Sequence, residues 1–266
     1  MHKRERFFAC ALLLTAALFT SAALWAQSPF DGTWHTNLAQ AKLSPKPNVF
    51  YLSQEWYHCV SCVPAVDSKA DGTDQPVTGQ SYDTISVKEV DAKTLSVTTK
   101  KAGTVVSEQT RSVSADGKTL TVKTTYHPKN GGAPVVTETT ATLVGAAPSG
   151  VHATSGTWRI VKIKQSDNAL DVTYKTSGDQ FTMTAPTGET YTAAFDGKDY
   201  PVTGAYSYNA VSLKRIDKNT IEETHKRDGV VTFVDTITVS PDGKKLTEVS
   251  TSKLTGRVDT YIATKK

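Results

Sequence analysis

The sequence predicts an all-β protein built as two tandem antiparallel up-and-down β-barrels. Three observations predict it. The chain repeats itself along most of its length, each copy consists of short period-two runs separated by tight turns, and no long stretch carries a helical period.

The chain has 266 residues, 38% of them hydrophobic and 21% charged, which is too apolar for a disordered chain. Its first segment reads as an address. His2 to Arg6 is basic, Phe7 to Ala23 is an apolar run, and Ala23-Leu24-Trp25-Ala26 supplies small residues for cleavage. Residues 1–26 are therefore expected to be a secretory signal, cut after Ala26 with Ala23 as the rival site, and the product to be periplasmic or secreted. If uncut, the run approaches the ~20 residues of a membrane anchor. Cys10 precedes most of the apolar run instead of closing it, which argues against lipidation. No later segment approaches the length of a membrane-spanning helix, so no stable membrane span is expected after cleavage. Lys and Arg total 30 against 26 Asp and Glu. Removing Lys3, Arg4, Arg6 and Glu5 with the signal leaves 27 against 25, a near-neutral balance that argues against a nucleic-acid partner.

The repeat is collinear. Gly32-Thr33-Trp34 recurs as Gly156-Thr157-Trp158, and Asp71-Gly72-Thr73-Asp74-Gln75-Pro76-Val77-Thr78-Gly79 as Asp196-Gly197-Lys198-Asp199-Tyr200-Pro201-Val202-Thr203-Gly204. Val113-Ser114-Ala115-Asp116-Gly117-Lys118 matches Val239-Ser240-Pro241-Asp242-Gly243-Lys244, and the offset drifts by only about two residues. This divides the chain into residues 27–145 as copy 1, a small-residue linker at 146–150, and residues 151–266 as copy 2. Each copy is long enough to bury its own core and is expected to close on itself.

Within a copy, Leu120, Val122, Thr124 and Tyr126 alternate with Thr119, Thr121, Lys123 and Thr125, the period of a half-buried strand. Asp116-Gly117 and Asp242-Gly243 mark hairpins; Ala102-Gly103 and Asp228-Gly229 mark a second pair, and Asp91 and Asp217 begin a third. Copy 2 yields nine or ten strands. In copy 1, Val49 to Tyr57 reads as one strand, and Ser44 to Val66 departs from the copy 2 pattern in its prolines, aromatics and cysteines. The one helical candidate, Asn37 to Leu43, stops before Pro45. A meander of this length must hide its edges. Closure into a barrel does so with short turns, whereas the competing sandwich needs long crossing connections.

Gly-x-Trp near the start of the first strand is similar to the lipocalin and fatty-acid-binding-protein (calycin) pattern, in which the Trp closes one end of the barrel; Gly32-Thr33-Trp34 and Gly156-Thr157-Trp158 match it. The whole chain resembles a two-domain, lipocalin-like family of exported bacterial proteins of unknown function, through Tyr57-His58-Cys59-Val60-Ser61-Cys62-Val63-Pro64, the Asp-Gly-x-Asp-x-Pro runs and Val211 to Asp217. The resemblance implies barrels whose Trp34 and Trp158 act as core caps that can touch a ligand. The Arg-x-Tyr that anchors carboxylates in fatty-acid-binding proteins is replaced by Arg257-Val258-Asp259-Thr260-Tyr261, a spacing of four, and their helical lid is missing.

Few residues offer chemistry. Cys59 and Cys62 are the only cysteines left after export and are expected to form a disulfide pinning an irregular loop. A redox pair would need a helix N-terminus beside it, and zinc would need two more ligands, with His58 and His35 the near candidates. His58 precedes the first cysteine where haem attachment needs His after the second. Asp71, Asp74, Asp196 and Asp199 could suggest calcium, but two carboxylates per loop fall short of the 6–8 oxygens calcium takes, and turn formation accounts for them. His127, His152 and His225 show no ligand spacing and are expected on exposed strands or loops; Glu222 and Glu223, adjacent on a strand, point to opposite faces. Arg111 shares a face with Val105 and Val113 and could anchor an acidic ligand, though Ile237 takes its place in copy 2. No catalytic, metal or cofactor-binding motif is recognised. The expected function, by fold analogy, is a non-catalytic exported binding protein for a small apolar or amphipathic ligand, with Trp34, Trp158 and Arg111 as candidate contacts. The alternatives are an envelope protein with filled barrels that acts through its outer surface, and a thiol–disulfide active protein using Cys59 and Cys62.

Overall fold

The computed structural model describes residues 28–145 and 148–266. The signal expected at residues 1–26, and part of the expected linker at 146–150, lie outside the described residues. Copy 1 contributes β1 (Gly32–Thr36), β2 (Asn48–Ser53), β3 (Trp56–Cys59), β4 (Val66–Lys69), β5 (Gln75–Pro76), β6 (Thr84–Asp91), β7 (Thr94–Lys101), β8 (Thr104–Val113), β9 (Thr119–Tyr126) and β10 (Val135–Gly145). Copy 2 contributes β11 (Gly156–Gln165), β12 (Asp171–Ser177), β13 (Gln180–Thr184), β14 (Thr190–Ala194), β15 (Tyr200–Pro201), β16 (Ala210–Arg215), β17 (Thr220–Arg227), β18 (Val230–Val239), β19 (Lys245–Ser252) and β20 (Val258–Lys265). They form two ten-stranded antiparallel sheets, each curled into a nearly closed barrel, so the chain is all-β with two barrels.

The turns do what their residues dictate. Ala102-Gly103 and Asp228-Gly229 have positive φ at both residues (48° and 79°; 52° and 82°), the twist that suits a two-residue hairpin. Asp116 accepts from Ser114 Oγ and Lys118 N, and Asp242 repeats the arrangement with Ser240 and Lys244. The ends of each meander are tied by backbone bridges, Asp71 to Lys88 in one barrel and Thr190 to Thr203 in the other. Here the repeated Pro-Val-Thr-Gly motif finds its reason. Gly204 has φ +83°, and a Cβ on it would lie 2.0 Å from the Gly188 carbonyl oxygen.

The barrels do not coincide with the sequence repeats. β1 pairs with β12 and β20 of copy 2, while β11 pairs with β2 and β10 of copy 1. The expectation that each copy closes on itself is thus corrected: the two copies exchange their first strands. Barrel 1 runs continuously from β2 to β11; barrel 2 comprises β12 to β20 and the N-terminal strand β1. β10 and β11, the strands before and after the expected linker, pair with each other in barrel 1, and the chain passes from barrel 1 to barrel 2 through the 3-10 turn Asp167–Ala169. The exchange gives each barrel an equivalent Gly-x-Trp strand. Trp34 is fully buried in the core of barrel 2 and donates its indole N–H to Phe30 O at 2.7 Å; Trp158 is buried in barrel 1 and donates to Thr154 O at 2.9 Å. Gly156 (φ +151°) leaves room for this packing, since a Cβ there would meet Leu143 Cδ1 at 2.7 Å.

Local differences from the sequence expectations have plain causes. Val49 to Tyr57 is two strands, not one. They are joined at Gln54 (φ 49°) and Glu55 (φ 65°), residues that carry no turn signal yet adopt the left-handed conformation of a two-residue hairpin. Copy 1 therefore keeps the strands that its Ser44–Val66 composition hides. Asn37 to Leu43 forms only one 3-10 turn, Leu38–Gln40, capped by Asn37 Oδ1. A bulge in β8 opposite Thr99 and Lys100 buries Val106, so Val105 leaves the face that Arg111 and Val113 share.

This topology predicts which pieces of the chain are self-sufficient. Residues 48–165 contain all of barrel 1 and should fold alone, giving a β-type circular dichroism spectrum and cooperative unfolding. Residues 167–266 lack β1, leave the edges of β12 and β20 unpaired, and should fold only when a peptide of residues 28–47 is added. Trp34 is the only tryptophan in that mixture, so its emission should shift to the blue on insertion. Cooperative folding of 167–266 without the peptide would contradict the topology.

Candidate functional site

Each barrel encloses a polar cluster, and the two are opposite in charge. In barrel 1, β8 points Ser107, Gln109 and Arg111 inward. Arg111 donates to Tyr57 Oη at 2.7 Å and to Gln109 Oε1 at 2.9 and 3.1 Å, and its guanidinium lies 4.8 Å from the Phe50 ring centre. All these partners are neutral, and among the described residues no carboxylate comes within ion-pair distance of Arg111. Arg111 lies between two cavities. One of about 310 Å³ is lined by Phe50, Trp158, Ile160, Leu120 and Val122. The other, of about 500 Å³, is lined by Tyr82, Ile85, Val97, Thr99 and, from barrel 2, Glu189 and Tyr206. Burial, then the neighbouring Tyr57, pushes the Tyr82 phenol up to about 12.

In barrel 2 the same wall carries acids. β17 turns Ile221, Glu223 and His225 inward, β18 offers Asp235 and Ile237, and β19 offers Glu248. His225 Nε2 lies 2.9 Å from Asp235 Oδ2 and 3.4 Å from Glu223 Oε2. Tyr191, on β14, donates to Glu223. Tyr208 packs edge-on to the His225 ring at 4.5 Å and donates to Glu189 at 3.3 Å. The cavity here is about 510 Å³, and among the described residues no Lys or Arg lines it. Burial works against a charged His225, but the hydrogen bonds and charges of Asp235 and Glu223 outweigh it and raise the imidazole to about 10. Burial, reinforced by the charges of Asp235 and Glu223, raises Glu248 to about 8; burial also raises Glu189.

The sequence-predicted residues are placed as follows. Cys59 and Cys62 are bridged, with Cα atoms 5.4 Å apart, at the end of β3 beside both barrel 1 cavities. Trp158 lines the smaller of those cavities, whereas Trp34 is buried in the other barrel, so the structure does not bring the two together. Arg111 points inward, next to Trp158 and the disulfide. Asp71 and Asp196 each bond the backbone two residues on, as turn residues do, and Asp74 and Asp199 pair with Lys100 and Lys226. His127 meets Glu108 at 3.0 Å on an exposed surface, and His152 holds the Asp91 carbonyl at 2.7 Å. His225 corrects the expectation for it: its side chain is only 6% exposed. The signal was present in the sequence. Ile221, Glu223 and His225 stand two apart, so an apolar Ile221 on the inner face carries the other two inside with it. Arg257, on the outside, donates to Lys46 O and Asn48 Oδ1, and so does not serve as an internal anchor.

Comparison with known proteins finds no matching family model, no matching curated protein and no matching solved structure. The two nearly closed ten-stranded sheets are compatible with a lipocalin-like fold.

The acid cluster sets how barrel 2 responds to pH. Glu248 rises from its ordinary 4.5 to about 8 on folding, so its contribution to stability is complete below about pH 4.5 and is lost as the pH climbs towards 8. His225, raised from 6.5 to about 10, contributes fully below 6.5 and loses that contribution as the pH rises through 10. The melting temperature of the metal-free full chain should therefore fall between pH 6 and pH 9. Glu248→Gln should flatten the part of that slope below pH 8 and leave the part above it, as followed by scanning calorimetry. An unchanged slope in Glu248→Gln would contradict the assignment.

Proposed function

We propose that this protein is an exported, non-catalytic binding protein whose first barrel takes a small amphipathic molecule with an acidic head group. The observation that carries the reading is Arg111, an inward-facing guanidinium with neutral partners only, set between two cavities that each mix apolar and polar walls. A cation held inside a barrel without a counter-charge is costly, and a ligand carboxylate or phosphate would supply that charge with bidentate hydrogen bonds. Phe50, Leu120, Val122, Ile160 and Trp158 offer the apolar wall for the rest of such a ligand. Volumes of about 500 and 310 Å³ lie in the range of small-molecule sites, which speaks against barrels filled by their own side chains. The thiol–disulfide reading draws no support from the surroundings of Cys59, which ends a strand instead of starting a helix. Export rests on the signal-like segment at residues 1–26.

Native mass spectrometry and calorimetry with dodecanoate and dodecanol test the reading. The acid should bind in preference to the alcohol. Arg111→Ile, which installs the residue copy 2 carries at this position, should weaken acid binding about 10- to 100-fold, the worth of a charged hydrogen bond, and leave the alcohol unaffected. A chain that neither carries nor accepts any such molecule, or an Arg111→Ile chain that binds the acid as well as the parent, would sink it.

A further inference from the structure

We infer that barrel 2 holds a divalent first-row transition metal ion, coordinated by His225 Nε2, Glu223 and Asp235. This goes beyond the reading of barrel 1 and stands on different residues. The candidate ligand atoms all lie within 4.8 Å of one another. The separations of 2.9 and 3.4 Å from His225 Nε2 to the two carboxylates bracket the roughly 3.3 Å between ligands of a tetrahedral ion with bonds near 2.0–2.1 Å. An imidazole in the set favours such an ion over calcium or magnesium.

Two further observations fit a cation at this cluster. Glu223 and Asp235 face each other directly across β17 and β18, a pairing of like charges that repel and that an intervening cation relieves. Asp235 is largely buried, yet its Oδ1 has no hydrogen-bond partner among the described residues, which leaves a carboxylate oxygen beside His225 Nε2 and Glu223 free to take a cation. The duplicate then serves as an internal control. At the positions of Glu223, His225 and Asp235, barrel 1 carries Val97, Thr99 and Gln109 on the same inward face. The barrel closes equally well with those residues, so architecture alone does not require the charged set.

Titration of the chelator-stripped full chain with Co²⁺ tests the assignment. The expected result is one ion per chain, with visible absorption of a low-coordinate Co²⁺ site that Zn²⁺ displaces. His225→Thr and Asp235→Gln, the residues barrel 1 uses, should each weaken uptake at least ~100-fold. His58→Ala, which removes the exposed His58–Asp67 pair, should leave uptake unchanged. Because a variant could lose barrel 2 altogether, the parent chain provides a separate readout: Zn²⁺ should shift the His225 ring resonances and leave those of His35 and His58 in place. No uptake, uptake that follows His35 or His58, or binding of tetramethylammonium in place of Co²⁺ would overturn the inference.

Discussion

Everything in this molecule depends on each sheet finding a strand to lie between its first and last members. Without β1, the remaining nine strands of barrel 2 would leave β12 and β20 open, exposing two rows of unpaired backbone groups and an unfilled core. β1 fills that gap, pairing Gly32 to Tyr174 on one side and Trp34 to Lys265 on the other, while Trp34 enters the core. Removing an indole from water is worth up to roughly 5 kcal/mol by area. β11 does the same for barrel 1. The strand that completes each barrel belongs, by sequence, to the other copy, so neither sequence repeat is a complete structural unit.

Exchange of this kind needs two interchangeable strands, and duplication provides them. The same duplication released the interiors from a common chemistry. Closure, hairpins and capping tryptophans recur in both halves because backbone geometry demands them. The inner faces of β7 to β9 and of β17 to β19 answer only to volume and to the company they keep. Arg111 in one barrel corresponds to Ile237 in the other, and Gln109 to Asp235, so one interior gained a base and the other acids. In a low-dielectric interior such substitutions are expensive unless partnered. Barrel 2 partners its acids with His225 and with protons; barrel 1 surrounds its single base with amide, phenol and aromatic groups.

The fold was legible in the sequence because hairpin turns and period-two runs are local. Asp116-Gly117 specifies a turn whatever surrounds it. The hairpin at Gln54-Glu55 was hidden for the converse reason: tertiary pairing of β2 with β3 forces a left-handed conformation on residues with no preference for it. The strand exchange was equally hidden, since β1 and β11 share one motif and either satisfies the same partners. Arg111, Trp158 and the cysteine pair were legible as candidates, and the structure groups them around one cavity. His225 was missed because its spacing to Asp235 is set across strands, by register, while a search for ligand motifs looks along the chain. The inward phase of Ile221 was the one local clue.

The wall between the two interiors shows how far this dependence extends. Tyr126 comes from β9 of barrel 1 and lines cavities in both barrels, as does Glu189 from the loop before β14. Tyr126 packs edge-on against Tyr206 of barrel 2 with ring centres 6.1 Å apart, and Lys129 lies 5.8 Å from the same Tyr206 ring. Burial, and then the charge of Glu189, holds the Tyr126 phenol well above its usual range, so it stays a neutral hydrogen-bonding group at any physiological pH. A barrel folded by itself would present these cavities with one side missing. These two cavities are therefore properties of the assembled pair, and the cavity of barrel 2 is also walled in part by the exchanged strands, through Thr36 of β1 and Gln165 of β11.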